Sequence, residues 1–231
     1  MMIDIENKIE LINYFRKFVT DERNKRFEEI IQNRTRHITI VLEDIYQSHN
    51  TSAVLRTCDC FGVQDVHIIE NKNKYAVNPD IALGSSKWLN IFEYNSKENN
   101  TLDCINILKT KGYKILATSP HAKALEISEV NMDNKIALLF GTEKDGLSDI
   151  ALEEADEHFK IPMYGFTESF NISVSAALCL FFLSEKLRHS NINWKLSKEE
   201  TYPILIEWYK NTIKNADMLE NRFLSEKQIT K

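Results

Sequence analysis

The chain has 231 residues, 43% of them apolar, and a formal net charge of −5. That size suits one medium domain with extensions, or two small ones, and the apolar share excludes a disordered chain. No stretch approaches the roughly 18 apolar residues of a membrane span, the best being Ala176 to Leu183, and the net charge does not advertise a nucleic-acid binder. The acidic opening Met1-Met2-Ile3-Asp4-Ile5-Glu6 lacks a signal-peptide layout. Residues 6 to 19 and 21 to 34 are predicted helices, with Leu11, Ile12, Phe15, Phe18 and Val19 at helical spacing and Thr20 or Asp21 as a cap. Ile38 to Leu42 is a β-branched strand. Thr51 to Phe61 reads as a helix stopped by Gly62, and Asp65 to Glu70 as the next strand. A polar loop spans residues 71 to 88. Ile91 to Tyr94 reads as a short strand, Leu102 to Lys111 as a helix ended by Gly112, and Lys114 to Thr118 as a strand. Ile136 to Phe140 is a buried strand ended by Gly141, and Ser148 to Ala155 a short helix. Phe159 to Pro162 reads as a strand and Ile172 to Leu187 as a long apolar helix. The tail from Lys198 to Lys214 has near-helical apolar spacing.

Strand and helix alternate through the centre, so the expected fold class is α/β, a mostly parallel sheet flanked by helices. Pro and Gly are scarce, so the end helices are expected to dock rather than swing on linkers. Four cysteines (58, 60, 104, 179) show no CxxC pair and no zinc spacing, which suits reduced thiols in a cytoplasmic protein with no metal. Charge is uneven. Residues 16 to 37 hold seven basic and four acidic side chains, and residues 186 to 231 hold nine and six. The middle holds twelve basic against twenty-one acidic. Phosphate contacts dominate affinity for nucleic acid, so the two ends are where RNA would bind; the plainer reading is a solvated helix face.

With six glycines in all, the chain has no GxGxxG after a strand and no GxxxxGK[ST]. A nucleotide-like ligand would have to be held by other backbone groups. Three polar segments lie where strands end or helices begin, the edge at which open α/β sheets bind ligands. In the first, Asn50 and Arg56 flank a helix start. They read either as a cap with a surface arginine or as an arginine fork aimed at phosphate or ribose. In the second, Gly141-Thr142-Glu143 follows an apolar strand. Gly141 would let a ligand approach the backbone, and Glu143 is either an anchor, a proton acceptor or a solvated turn residue. In the third, Ser169 and Asn171 precede the apolar helix, as N-caps or as substrate-positioning groups.

Asn50…Arg56-Thr57, Phe140-Gly141-Thr142-Glu143-Lys144-Asp145-Gly146-Leu147-Ser148, and Ile161-Pro162-Met163 through Ser169-Phe170-Asn171-Ile172-Ser173 together resemble the three motifs of the SpoU/TrmH group of RNA 2'-O-methyltransferases. The resemblance covers roughly residues 24 to 190. It implies a C-terminal deep trefoil knot, which composition and periodicity do not show. It implies an N-terminal helical RNA-binding extension over 1–36, a knotted methyltransferase domain over 37–190, and a C-terminal helical RNA-binding extension over 191–231. It further implies a homodimer and S-adenosylmethionine (SAM) held by main-chain groups around Thr118, Gly141, Ile161, Met163 and Phe170. Catalysis would rest on Arg56, with Asn50, Glu143, Ser169 and Asn171 in support. Arg56 would either take the proton of the ribose 2'-hydroxyl or, since arginine normally stays protonated, stabilise the developing oxyanion. The implied substrate is tRNA, at guanosine 18 of its D-loop, because the TrmH type carries helical extensions at both ends as this chain does. The alternatives are another tRNA or ribosomal RNA ribose, or a non-catalytic RNA-binding module on the same fold.

Overall fold

The computed structural model describes residues 5–76, 78–119 and 124–229. The first four and last two residues of the expected extensions therefore lie outside the described residues, as does residue 77 of the expected polar loop. In chain order the elements begin with α1 (Ile5–Phe15), α2 (Asp21–Ile31), β1 (Ile38–Glu43), α3 (Ser48–Phe61) and β2 (Asp65–Ile69). Next come α4 (Pro79–Ala82), β3 (Asn90–Tyr94), α5 (Asn100–Thr110), β4 (Tyr113–Thr118) and β5 (Leu125–Glu126). They continue with β6 (Lys135–Phe140), α6 (Asp149–Glu153), β7 (Glu157–Lys160), α7 (Ile172–Arg188), α8 (Lys198–Lys210) and α9 (Ala216–Ile229).

Residues 35 to 194 form one unit. Its sheet runs β3-β2-β1-β6-β4-β7-β5, and every neighbouring pair is parallel. β1 lies centrally, with Ile40 opposite Val66 on one side and Leu138 on the other. All six of its residues are buried. Ile38, Ile40 and Leu42 join Val54, Leu55, Cys179 and Leu183 in one cluster, while Val41 joins Ile105, Leu108 and Leu139 in a second. Alternate side chains thus enter cores on opposite faces, which is why the strand reads as an unbroken apolar run rather than an alternating one. Burying each such side chain stabilises by about 1.5–3 kcal/mol. Gly62, at φ 77°, ends α3, donating its N–H to the Asp59 and Cys58 carbonyls. Gly112, at φ 80°, follows α5.

The α/β class and the parallel sheet flanked by helices are as expected. Beyond shifts of helix ends, the details differ in four places. The polar loop 71–88 contains α4 and a 3-10 turn over Ser85–Trp88. β5 had no detectable signal, being two residues long. β7 begins and ends two residues earlier than expected: it pairs with β4 from Glu157 onward, opposite Leu116, and Pro162 has no N–H to extend the ladder. The tail carries a second helix, α9.

The described residues 5–34 and 195–229 belong to a second unit, so the two end segments fold with each other. Thr20 caps α2 as expected, its hydroxyl accepting from the Arg23 N–H at 3.2 Å. Ser197 and Glu200 form a capping box on α8. Phe27 packs edge-on against Tyr209, whose hydroxyl donates to Asn24 Oδ1 at 2.8 Å. The buried Arg34 guanidinium lies 5.2 Å from the Trp208 ring centre.

Candidate active site

The carboxyl ends of β1, β6 and β7 each lead into one of the three polar segments. Their order in the sheet brings the segments together. Asn50 donates through Nδ2 to Glu143 Oε1 at 3.0 Å and to Gln47 Oε1 at 3.2 Å. Its Oδ1 accepts from Asn171 Nδ2 at 3.1 Å, and the same Asn171 amide also donates to Glu143 Oε1. Asn171 Oδ1 in turn accepts from the Ser173 N–H at 2.9 Å, so Asn171 is the N-cap of α7. Asn50 is buried, while Glu143 and Asn171 reach solvent. The Glu143 carboxyl therefore sits against the first turn of α3 and the N-cap of α7, where both helix dipoles favour negative charge.

Asn50 is not a cap, contrary to one reading of the sequence. α3 begins at Ser48, with Gln47 at the N-cap position making no side-chain cap bond. Arg56 consequently lies beyond the second turn of α3. It is exposed, and among the described residues it has no hydrogen bond or ion pair. Six residues of helix separate it from Asn50, enough to turn one inward and the other outward.

Gly141 also answers a need the sequence did not show. A Cβ there would lie 2.1 Å from the Gly146 carbonyl oxygen and 2.3 Å from the Leu147 nitrogen. The crowding group is the chain's own turn. Thr142 N–H donates to Gly146 O at 2.9 Å, Gly146 N–H returns to Thr142 O at 3.1 Å, and Asp145 N–H reaches Thr142 Oγ1 at 2.9 Å. This closed turn displays Glu143.

The other expected residues are spread along the same edge. Thr118 ends β4, its hydroxyl donating to the Leu139 carbonyl at 2.9 Å. Ile161 and Met163 are half-buried, and Ile161 packs on the first core cluster. Phe170 is exposed, as is Ser169, which has no hydrogen-bond partner among the described residues. Residues 162 to 170 make no backbone hydrogen bond to other described residues outside helices and strands. Their amides and carbonyls are available to a ligand or to water.

The SpoU rRNA Methylase family model matches residues 37–181. The chain belongs to this family. A tRNA (guanosine(18)-2'-O)-methyltransferase of Borreliella burgdorferi is 43% identical over 216 residues, 94% of this chain and 97% of the relative. One of Thermus thermophilus is 33% identical over 193 residues, 83% of this chain and 97% of the relative. Among solved structures, the A. aeolicus TrmH/SpoU tRNA modifying enzyme aligns with a TM-score of 0.75 at 28% identity, covering 84% of this chain and 98% of that one.

In this SpoU-family chain several polar residues at the same edge escaped the sequence reading. Glu43, the last residue of β1, is buried beneath Thr101 and Ser148. Asp44 has φ 55° and accepts through Oδ1 from the N–H groups of Asn71, Lys72 and Asn73 at 2.7, 2.7 and 3.2 Å. Gln47 holds Asn50. A cleft of about 440 Å³ is lined by Glu43, Asp44, Thr101, Thr142, Gly146 and Ser148, among others. One signal was available: two acidic residues close an otherwise apolar strand, where burial demands partners.

Proposed function

We propose that the chain transfers methyl from SAM to a ribose 2'-hydroxyl of tRNA, at guanosine 18 of the D-loop. The observation that carries this reading is the Asn50–Glu143–Asn171 cluster, which joins all three motifs at the carboxyl edge of a parallel sheet. The Borreliella burgdorferi relative named for guanosine 18 aligns over 216 residues, which reaches into both end segments as well as the core and supports tRNA over a bare-core substrate.

SAM supplies a methyl group on a sulfonium, an already activated donor, so the protein's main contribution is orientation. Main-chain groups around Thr118, Gly141, Ile161, Met163 and Phe170 would hold it. The residues present fit such a ligand: among the described residues the main chain from 163 to 170 makes no backbone hydrogen bond outside helices and strands, and Phe170 and Met163 offer apolar surface. Asn50, Glu143 and Asn171 hold one another and fix the entrances of α3 and α7. Ser169 contributes a free hydroxyl at the same edge. An arginine guanidinium is a permanent donor in proteins. The exposed fork of Arg56 orients the ribose or an adjoining phosphate and stabilises negative charge developing on the 2'-oxygen. The proton leaves to water.

The reading extends to architecture and partners. A deep trefoil knot is supported by the chain path: β6 inserts between β1 and β4, β7 lies beyond β4, and α7 then returns to pack on α3. A homodimer is supported by an exposed apolar stripe on α7, Val174, Leu178, Phe181 and Phe182, with Phe181 58% exposed. The end-segment unit supplies phosphate contacts, making affinity for tRNA salt-sensitive. Among the described residues no helix is long and apolar enough to cross a membrane. We place the protein in the cytoplasm with its substrate.

The test is incubation with labelled SAM and an unmodified tRNA transcript, with Arg56→Ala alongside and the methylated ribose mapped. Methyl on guanosine 18, lost in Arg56→Ala with SAM binding retained, is the expected result. Methyl at another ribose moves the target. An absence of SAM binding in the unsubstituted protein sinks the methyltransferase reading. A kcat that rises with pH as one group deprotonates, with that rise moved by Arg56→Lys, would make Arg56 the base instead.

A further inference from the structure

Glu43 ends β1 at 3% exposure. Its Oε2 accepts the Ser148 N–H at 2.8 Å. Its Oε1 accepts the Ser148 hydroxyl at 2.7 Å and the Thr101 hydroxyl at 2.5 Å. Ser148 is the N-cap of α6, accepting from the Ala151 N–H at 3.2 Å. Thr101 lies in the first turn of α5 and accepts from Asn71 Nδ2 at 2.8 Å. One buried carboxyl group thus ties the central strand to α5, to α6 and to the loop after β2.

A buried strand end has no packing need for a carboxyl group. An apolar residue of similar volume there would be stable without three hydroxyl and amide partners. What Glu43 adds is a fixed end for the segment that begins at Gly141. That segment is anchored at its start by β6 and at its finish by Ser148, and between the two it makes the closed Thr142–Gly146 turn. The turn carries Glu143, which meets Asn50 and Asn171 on its other side.

We propose that Glu43 is a positioning residue for methyl transfer: by fixing Ser148 it sets the turn that presents Glu143 and the main chain beside Gly141. This rests on the methyltransferase reading above. Glu43 touches neither the Asn50 cluster nor Arg56 in the described contacts, so it acts through the segment it anchors. Loosening that segment displaces the cofactor-side backbone, and displacements on the order of 1 Å cost up to about a hundredfold in turnover.

The experiment compares full-length wild type, Glu43→Gln, Thr101→Val and Thr39→Val. Glu43→Gln keeps the volume but turns a donor toward donors. Thr39→Val is the control, a buried β1 hydroxyl that donates to the Asp65 carbonyl at 2.6 Å and lies outside the anchored segment. SAM affinity by calorimetry, kcat and KM on a tRNA transcript, amide exchange over residues 142–147 and the unfolding midpoint are read for each. Glu43→Gln is expected to lower SAM affinity or kcat about tenfold or more, with KM for tRNA little changed and faster exchange in the turn. Thr39→Val is expected to lose stability with wild-type SAM affinity and exchange. If Glu43→Gln fails to fold, Thr101→Val removes one of the three donors and is judged by the same readouts. SAM affinity and turnover no lower than in Thr39→Val, or unchanged exchange in the turn, overturn the inference. Wild-type protein that binds no SAM overturns the methyltransferase reading itself, a failure visible before any variant is compared.

Discussion

Gly141→Ala tests whether the turn that follows β6 is as closed as its geometry implies. The new Cβ would stand 2.1 Å from the Gly146 oxygen, a contact that must open to at least 3.0 Å, so the backbone has to retreat by about 0.9 Å. No flexible side chain can absorb that retreat, because the crowding atoms are main chain. The paired hydrogen bonds between Thr142 and Gly146 are in the way and would break or stretch. Two lost hydrogen bonds cost about 1 kcal/mol each and an overpacked core site about 1–3 kcal/mol, for a total of about 3–5 kcal/mol. For a domain of this size that corresponds to roughly 6–20 °C in the unfolding midpoint. Gly165→Ala is the comparison, since a Cβ there meets nothing within 4 Å, and it should leave the midpoint in place. Differential scanning calorimetry with and without SAM reads both effects, and Gly141→Ala should also blunt the stabilisation that SAM confers. A Gly141→Ala midpoint within about 2 °C of wild type, with undiminished SAM stabilisation, would refute the closed-turn argument.

Two further outcomes are expected. Phe181→Glu places a charge in the exposed stripe of α7 without entering the core, so sedimentation should show monomers of unchanged secondary structure; a dimer that persists at low micromolar concentration would assign the interface elsewhere. Burial pushes the His67 imidazole down to about 3, with the Lys111 ammonium adding to the shift. The ring is stacked 4.9 Å from Phe92 and shares a 2.9 Å hydrogen bond with the Tyr94 hydroxyl. The folded value lies below the unfolded one of about 6.5, so this contribution to stability is complete above pH 6.5 and is lost as pH falls toward 3, at up to about 1.4 kcal/mol per pH unit. Urea unfolding at pH 7, 5.5 and 4.5 should therefore show a steeper loss for wild type than for His67→Gln, and equal slopes would remove His67 from the account.

Much of this molecule was legible one element at a time. The run Ile38 to Leu42 declares a strand buried on both faces, and Gly62 and Gly112 declare the ends of α3 and α5 because their positive φ suits glycine. Thr20, Ser148 and Asn171 announce helix starts through hydroxyl or amide oxygens that accept from the first turn. These signals are local, since caps and periodicity act across a few residues. The three motifs were also legible, as polar residues at strand ends.

The tertiary structure alone decided how those pieces meet. Asn50 and Glu143 are 93 residues apart and Asn50 and Asn171 are 121 apart, yet their side chains bond because β6 sits beside β1. Nothing within a few residues of Asn50 encodes that neighbour. Two-residue β5 exists only because the edge of β7 offers it a ladder. Gly141 was expected to let a ligand approach the backbone; the fold adds a need no local signal showed, since the space a Cβ would take is filled by Gly146, five residues on. Glu43 shows the same limit most plainly. In sequence it is one charge after an apolar strand; in the fold it is a buried acceptor whose partners come from α5 and from the segment after β6. Local chemistry chose the elements, and the order of strands in the sheet, a property of the whole chain's packing, chose which polar groups would face one another.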